Sequence, residues 1–145
     1  MQLSRFSDFS LRVLLYAALK GDSFQIDEVS EAYAISRNHL AKIVQNLARL
    51  GYLETKQGRG GGITLAQDPA SISIGALVRK TENQSALVEC FDPETNTCVI
   101  SGCCRLKGLL GKALEAFFIT LDEHTLEDLL QGPQRQQMRE ILLSS

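Results

Sequence analysis

Cysteine is missing from this 145-residue chain except in one short segment, and histidine occurs only at positions 39 and 124. Neither His39 nor His124 belongs to a Ser-His-Asp or Cys-His arrangement that the sequence can build. No cluster of His and Glu offers a general base beside a metal, so an enzyme is not expected. No apolar run approaches the length needed to span a bilayer. The opening residues Met1-Gln2-Leu3-Ser4-Arg5 have no basic region followed by an apolar core, so a secretory leader is not expected either. The expectation is a cytoplasmic protein with no membrane segment. In that compartment thiols stay reduced, and clustered cysteines more often bind metal or carry redox chemistry than form disulfides.

Charge is scarce overall but uneven. The formal net charge is −2, yet residues 1–80 carry 10 Lys+Arg against 7 Asp+Glu, and residues 81–145 carry 5 against 10. Between positions 36 and 62 stand Arg37, Lys42, Arg49, Lys56 and Arg59 with a single acid, Glu54. A nucleic-acid footprint is local, so that basic stretch outweighs the acidic total. The length suits one domain, or one small domain with an appendage. We place one unit at 1–80, which holds the basic stretch, and a second at 81–145, which holds every cysteine. The fold class expected is mainly α with a small β-hairpin.

Ser4 to Leu19 reads as a helix with two apolar rows, Phe6/Phe9/Val13/Ala17 and Leu11/Leu15/Leu19, and hence as buried on more than one side. Asp8 and Arg12 interrupt it at i,i+4 spacing, where a first-turn acid favours the helix dipole and pairs with a basic neighbour. Gly21-Asp22-Ser23 ends it. A short helix follows from about Asp27 to Tyr33. After Ala34-Ile35, Ser36 is placed to cap a helix from Arg37 to Leu50, stopped by Gly51. Leu40, Ile43, Val44, Leu47 and Leu50 form its apolar stripe; Arg37, Asn38, His39, Lys42 and Gln45 are candidate DNA readers. An ordinary amphipathic helix with a solvated face would look similar. The next segment favours DNA. Short strands at 52–56 and 63–65 flank Gln57-Gly58-Arg59-Gly60-Gly61-Gly62, a Gly-rich hairpin that reads as a wing. There Lys56, Arg59, Gly60 and Gly61, with Ser36, would approach the duplex backbone or minor groove. A phosphate loop is excluded, since no GxxxxGK[ST] is present and a strand rather than a helix follows.

Ser71 or Ser73 caps a helix from Ile74 to about Glu82; the segment from Glu82 to Val88 has no clear type. Arg105 to Asp122 reads as a long helix whose stripe, from Leu106 through Leu109, Leu110, Leu114, Phe117 and Phe118 to Leu121, calls for a second apolar surface. Its own copy in a homodimer is the economical choice, and an intrachain core is the alternative. Thr125 and Asp128 resemble a capping box for a helix from Leu126 to Leu130. The Gln-rich remainder after Gly132-Pro133 reads as a weak helix or frayed tail.

All four cysteines fall in Cys90-x7-Cys98-x4-Cys103-Cys104. Structural zinc sites use paired CxxC knuckles, which are absent. Adjacent Cys103 and Cys104 point apart, leaving about three thiolates for one site, with either of them as the third. Three thiolates and one weaker ligand suit an iron–sulfur cluster with a labile corner. A zinc- or thiol-based redox regulator, and a cluster carrier or electron-transfer protein, remain open.

The order of helix-turn-helix, glycine wing, cysteine loop and long helix resembles the Rrf-type winged-helix regulators over essentially the whole chain. The stretches that carry the resemblance are Met1-Gln2-Leu3 with Phe6-Ser7-Asp8-Phe9, Ser36 to Ile43, Gly61-Gly62-Ile63 and Cys104-Arg105-Leu106-Lys107. Within that family the chain looks like the nitric-oxide-sensitive repressors. The resemblance implies a homodimer on double-stranded operator DNA, holding an iron–sulfur cluster of the [4Fe-4S] rather than the [2Fe-2S] type, with nitric oxide as the signal. It puts the cysteine ligands on Cys90, Cys98 and Cys104 and the fourth ligand on Asp8 of the other subunit. Cys90-x7-Cys98 is longer than the family's usual gap. The family's cluster-biogenesis regulators take a histidine three residues after the last cysteine; here that residue is Lys107, which disfavours their ligand set. Cys103→Ala is therefore expected to leave the visible absorbance of anaerobically purified protein intact, and Cys104→Ala to abolish it; the reverse result refutes this register.

Overall fold

In a computed structural model that describes residues 1–82 and 86–144, the chain forms six α-helices and one hairpin. They run in the order α1 (Arg5–Lys20), α2 (Ile26–Tyr33), α3 (Arg37–Arg49), β1 (Leu53–Lys56), β2 (Gly62–Leu65), α4 (Ile74–Thr81), α5 (Arg105–Asp122) and α6 (Pro133–Leu143). Helix α1 starts where Ser4 Oγ accepts the Ser7 N–H. Ser36 Oγ does the same for His39 at the start of α3, and Ser73 for Ala76 at the start of α4. The α2–α3 turn is made by Ala34 in the left-handed region, φ 53°.

The core is built around α1 and α3. Val13, Leu14, Leu40, Ile43, Leu47, Ile72, Leu77 and Leu126 are fully buried, and Phe24, Val29 and Val78 nearly so. The α3 stripe lies inward as its period requires. On α1 the period slips: Leu14, Tyr16 and Ala17 are buried, whereas Phe6, Phe9, Leu11 and Leu15 lie at the margin of the core. The hairpin pairs Leu53 with Leu65 and Lys56 with Gly62 in antiparallel register. It gains a third partner in Phe24, whose N–H and C=O both bond Ile63, at 3.0 and 2.8 Å.

Helix α5 occupies the predicted residues, but none of them is buried; Leu106 and Leu109 are 58% and 62% exposed. Its C-terminal end is fastened to α4. Arg79 donates two hydrogen bonds to Asp122 and lies over the Phe118 ring at 4.6 Å. Ile74 N–H bonds the His124 carbonyl, and Leu126 N–H bonds Ile72.

At the C-terminus one expectation is corrected and one, left between a weak helix and a frayed tail, is decided. The Thr125–Asp128 capping box forms, with bonds of 2.8 and 3.3 Å, but no helix spans Leu126 to Leu130. The pairing of 124–126 with 72–74 uses the backbone there, so only a 3₁₀ turn at Asp128–Leu130 follows. The Gln-rich remainder is a full helix, α6, because Leu142 and Leu143 pack on the core and Arg139 bonds the Leu19 carbonyl. Of the unassigned stretch 82–88, residues 83–85 lie outside the described residues.

A Cβ at Gly75 would overlap the Asp122 carboxylate and sit 2.8 Å from the Asp122 main-chain nitrogen. Overpacking of this kind costs about 1–3 kcal/mol. Gly75→Ala should lower the free energy of unfolding by that amount, read as a lower urea midpoint at unchanged slope, since the α4–α5 contact must open.

Candidate functional site

The α2–α3 pair and the hairpin present one exposed polar face. Asn38, Lys42 and Gln45 on α3 are exposed, as are Lys56, Arg59 and Gly60 on the hairpin, with Gly61 partly covered. Among the described residues Lys42, Lys56 and Arg59 pair with no carboxylate, so their charge is free for phosphate. A groove of about 420 Å³ lies between α3 and the hairpin, walled by Arg37, Ala41 and Gln45 on one side and Thr55, Lys56 and Gln57 on the other.

Two of the candidate readers are engaged elsewhere. Arg37 Nε lies 2.7 Å from Asp27 of α2, a pair exposed on both sides and thus readily exchanged for phosphate. His39 is half-buried, its ring edge-on to Phe9 of α1 with centroids 5.0 Å apart. Ser36 spends its hydroxyl on capping α3 and keeps its exposed position at the helix N-terminus. Thr55, Gln57 and Gln25 belong to the same face. Gln57 could have been found from its place in the glycine run; Gln25 carries no local signal.

The cysteine loop leaves α4 and returns to the start of α5. All four cysteines are free thiols. Cys90 sits in a 3₁₀ turn, Glu89–Phe91, and Cys98 follows an Asx turn in which its N–H donates to Asn96 Oδ1 at 3.0 Å. Cys104 occupies the N-cap position of α5 without using its side chain as a cap. Cys103 is exposed and the other three are half-buried. Glu89 accepts from the Thr97 N–H and hydroxyl, at 2.9 and 2.6 Å, and these bonds hold its carboxyl below the usual range. The loop is thus internally braced.

Among the described residues no three His, Cys, Asp or Glu side chains converge closely enough to hold a metal ion. The donor chemistry nonetheless fits an iron–sulfur cluster: three half-buried thiols, free of disulfides, lie on one loop. Cys104 also stands at a helix N-terminus, which favours an anionic ligand. Asp8 lies on α1, bound to Arg12 of its own chain by bonds of 3.1 and 2.9 Å, as the i,i+4 spacing suggested.

The first turn of α1 is held from α4. Glu82 accepts from the Ser4 N–H at 2.8 Å, the Ser4 hydroxyl at 2.7 Å and the Ser7 hydroxyl, while Ser7, fully buried, also meets Thr81 at 2.9 Å. Sequence pattern could not show this, because the partners lie 74 or more positions apart. Beside it, Leu3, Leu87, Leu114, Phe117 and Phe118 line an apolar cavity of about 580 Å³ with Glu82 at its edge.

A wing against a helix-turn-helix, joined to a long helix with an uncovered apolar face, defines a winged-helix DNA-binding transcription regulator. The fold recurs in the crystal structure of oxidised CymR from Staphylococcus aureus, with TM-score 0.71, 23% identity and coverage of 91% of this chain and 98% of that one. It recurs also in T. potens IscR, with TM-score 0.68, 20% identity and coverage of 90% and 86%. Residues 3–132 match the Rrf2 family of iron-dependent transcriptional regulators, and the chain belongs to it. It is similar to the HTH-type transcriptional regulator NsrR of Bacillus subtilis, 48% identical over 134 residues that cover 91% of this chain and 92% of that protein. It is likewise similar to the NsrR of Geobacillus kaustophilus, 47% identical over 98% and 97%. These relatives are regulators by name, in line with a chain that is not an enzyme. Among the described residues no helix is long and apolar enough to cross a membrane.

Burial by itself raises the Glu82 carboxyl, but the hydrogen bonds from Ser7 and Ser4 outweigh it and hold the group below its ordinary 4.5. A depressed acid stabilises the fold above its unfolded value and loses that contribution as pH falls through the folded one. Glu82→Gln should therefore melt a few degrees below wild type at pH 7, and the gap should close by thermal denaturation in acid; an equal gap at all pH values would contradict this role.

Proposed function

We propose that the chain is a cytoplasmic transcriptional repressor that binds operator DNA as a homodimer and senses nitric oxide through an iron–sulfur cluster, of the four-iron rather than the two-iron type. The observation that carries this reading is the cysteine loop: its free thiols keep the Cys98-x5-Cys104 spacing of the resembling repressors. Cys90, Cys98 and Cys104 would hold the cluster, and Asp8 of the partner subunit would complete it. Cys103 would be a bystander. When bound, the cluster supplies iron that reacts with nitric oxide.

The chain's own residues account for the rest. Leu106, Leu109 and Ile119 leave α5 with an exposed apolar face that a symmetric copy would cover. Residues 1–80 form the reading head and 81–145 the loop and joining helices, with Leu126 and α6 returning to the head. Two heads in such a pair would enter successive major grooves about one helical turn, roughly 34 Å, apart. Asn38, Lys42 and Gln45 would face base edges, and Lys56 and Arg59 the backbone or minor groove. Asp8 can leave Arg12 at little cost, since an exposed ion pair is worth about 0–1 kcal/mol. A tenfold loss of operator affinity needs only about 1.4 kcal/mol of coupling.

Protein purified without oxygen should be brown, and a gel shift on DNA that it selects from a randomised pool should be abolished by nitric oxide. A colourless anaerobic protein that binds the selected DNA at full strength would sink the sensor and leave a thiol- or zinc-based regulator. A coloured protein that selects no DNA would make it a cluster carrier.

A further inference from the structure

The wing tip has to stand at a set distance from α3 if both are to touch one duplex, and the hairpin's own bonds end before the tip. Beyond the Phe24–Ile63 pairing, the tip closes on itself: Gly61 N–H bonds the Gly58 carbonyl at 3.0 Å. A Cβ at Gly61 would overlap the Lys56 carbonyl oxygen, so this tight turn admits glycine alone. The Gly61 carbonyl accepts the Gln25 side-chain amide at 2.9 Å. Gly62 is packed against the same segment, where an added Cβ would meet the Phe24 carbonyl at 3.1 Å and Gln25 Nε2 at 3.3 Å.

Gln25 is in turn fixed to the helix-turn-helix. It is the N-cap residue of α2, and its N–H donates to Glu28 Oε2 at 2.7 Å. Two residues on, Asp27 holds Arg37 at the first position of α3. Gln25 and Asp27 line the groove between α3 and the wing. A continuous set of contacts therefore runs from α3 through the start of α2 to the wing tip, with Gln25 as its last link. Gln25 itself is exposed, and its loss leaves no buried group unsatisfied.

We infer that Gln25 is a positioning residue for DNA recognition: its amide sets the wing tip, and Arg59 with it, at the distance from α3 that one duplex requires. This rests on the reading of α3 and the wing as a DNA-binding face. Arg59 makes the contact and Gln25 places it, so the two act as one unit and their losses overlap.

The experiment measures affinity of the anaerobically purified full chain for a duplex that the wild-type chain selects from a randomised pool. Gln25→Met, nearly isosteric but without a donor, should weaken binding about fivefold, the size of one hydrogen bond. Gln25→Glu should weaken it more, because a carboxylate repels the Gly61 carbonyl. In an Arg59→Ala background Gln25→Met should cost less than about twofold, the non-additivity expected of residues acting through one contact. All three should stay folded, with melting lowered by no more than a few degrees, the effect of one exposed hydrogen bond. Unchanged affinity in Gln25→Met, or losses that simply multiply with Arg59→Ala, would overturn the inference while leaving the DNA-binding face intact. A wild-type chain that selects no sequence would overturn both.

Discussion

Everything in this fold leans on α1 and on the two fastenings at its ends. Between them α1 is sealed by apolar contact: Val13, Leu14 and Ala17 join Leu40, Ile43 and Leu47 of α3 in one buried cluster. At its N-terminus two of the orphan donors of the first turn are met, the Ser7 N–H by Ser4 and the Ser4 N–H by Glu82 from the far end of α4. At its C-terminus the guanidinium of Arg139 takes a carbonyl that the helix leaves unpaired. Residues as far apart in sequence as positions 40–47, 82 and 139 thus meet on α1. The winged-helix unit is closed by the C-terminal helix, and a truncation before α6 would expose the α1 surface that α6 covers.

The long helix α5 follows the opposite rule. It has many apolar residues, buries none of them completely, and touches the rest of the chain mainly through its last turns. Hydrophobic burial contributes about 25 cal/mol per Å², so side chains as exposed as Leu106 and Leu109 contribute little in an isolated chain. Their cost is recovered only on a second surface. The proposed pairing of two copies is the arrangement in which the composition of α5 makes energetic sense.

How far the sequence could be read depended on the range of the interactions. Helix α3 was legible because Leu40, Ile43, Val44 and Leu47 repeat on one face and Ser36 and Gly51 mark its ends. The limits of α5 were legible for the same reason. Helix α6 was legible only as one of two options, since what decides it is distant: Arg139 meets Leu19, 120 positions earlier, and Leu142 and Leu143 pack on the core. The Thr125–Asp128 pair was visible, but the strand-like contact of 124–126 with 72–74 that overrides a helix there was not. In the site, the exposed Lys and Arg positions were legible from periodicity. The turning of His39 toward Phe9, the holding of Arg37 by Asp27 and the Glu82 network were not, because each is a meeting of residues that no local pattern links.

These contacts also decide where a signal can act. The core runs without a break from α1 through α3 and α4 to Leu126, and close-packed interiors switch between discrete arrangements rather than deform continuously. A change at the cysteine loop therefore has little room to reshape the reading head from within. The head is joined to the C-terminal end of α5 by Arg79, Asp122 and Phe118, while the loop meets the N-terminal end at Cys104. An 18-residue helix is about 27 Å long, so a tilt of about 5° at one end moves the other by roughly 2 Å. On the proposed reading, α5 acts as a lever: small rearrangements where loop and helix meet would alter the spacing of two intact heads. A wing held at a set distance from α3 sharpens that response, because a head that keeps its shape tolerates less error in where it lands.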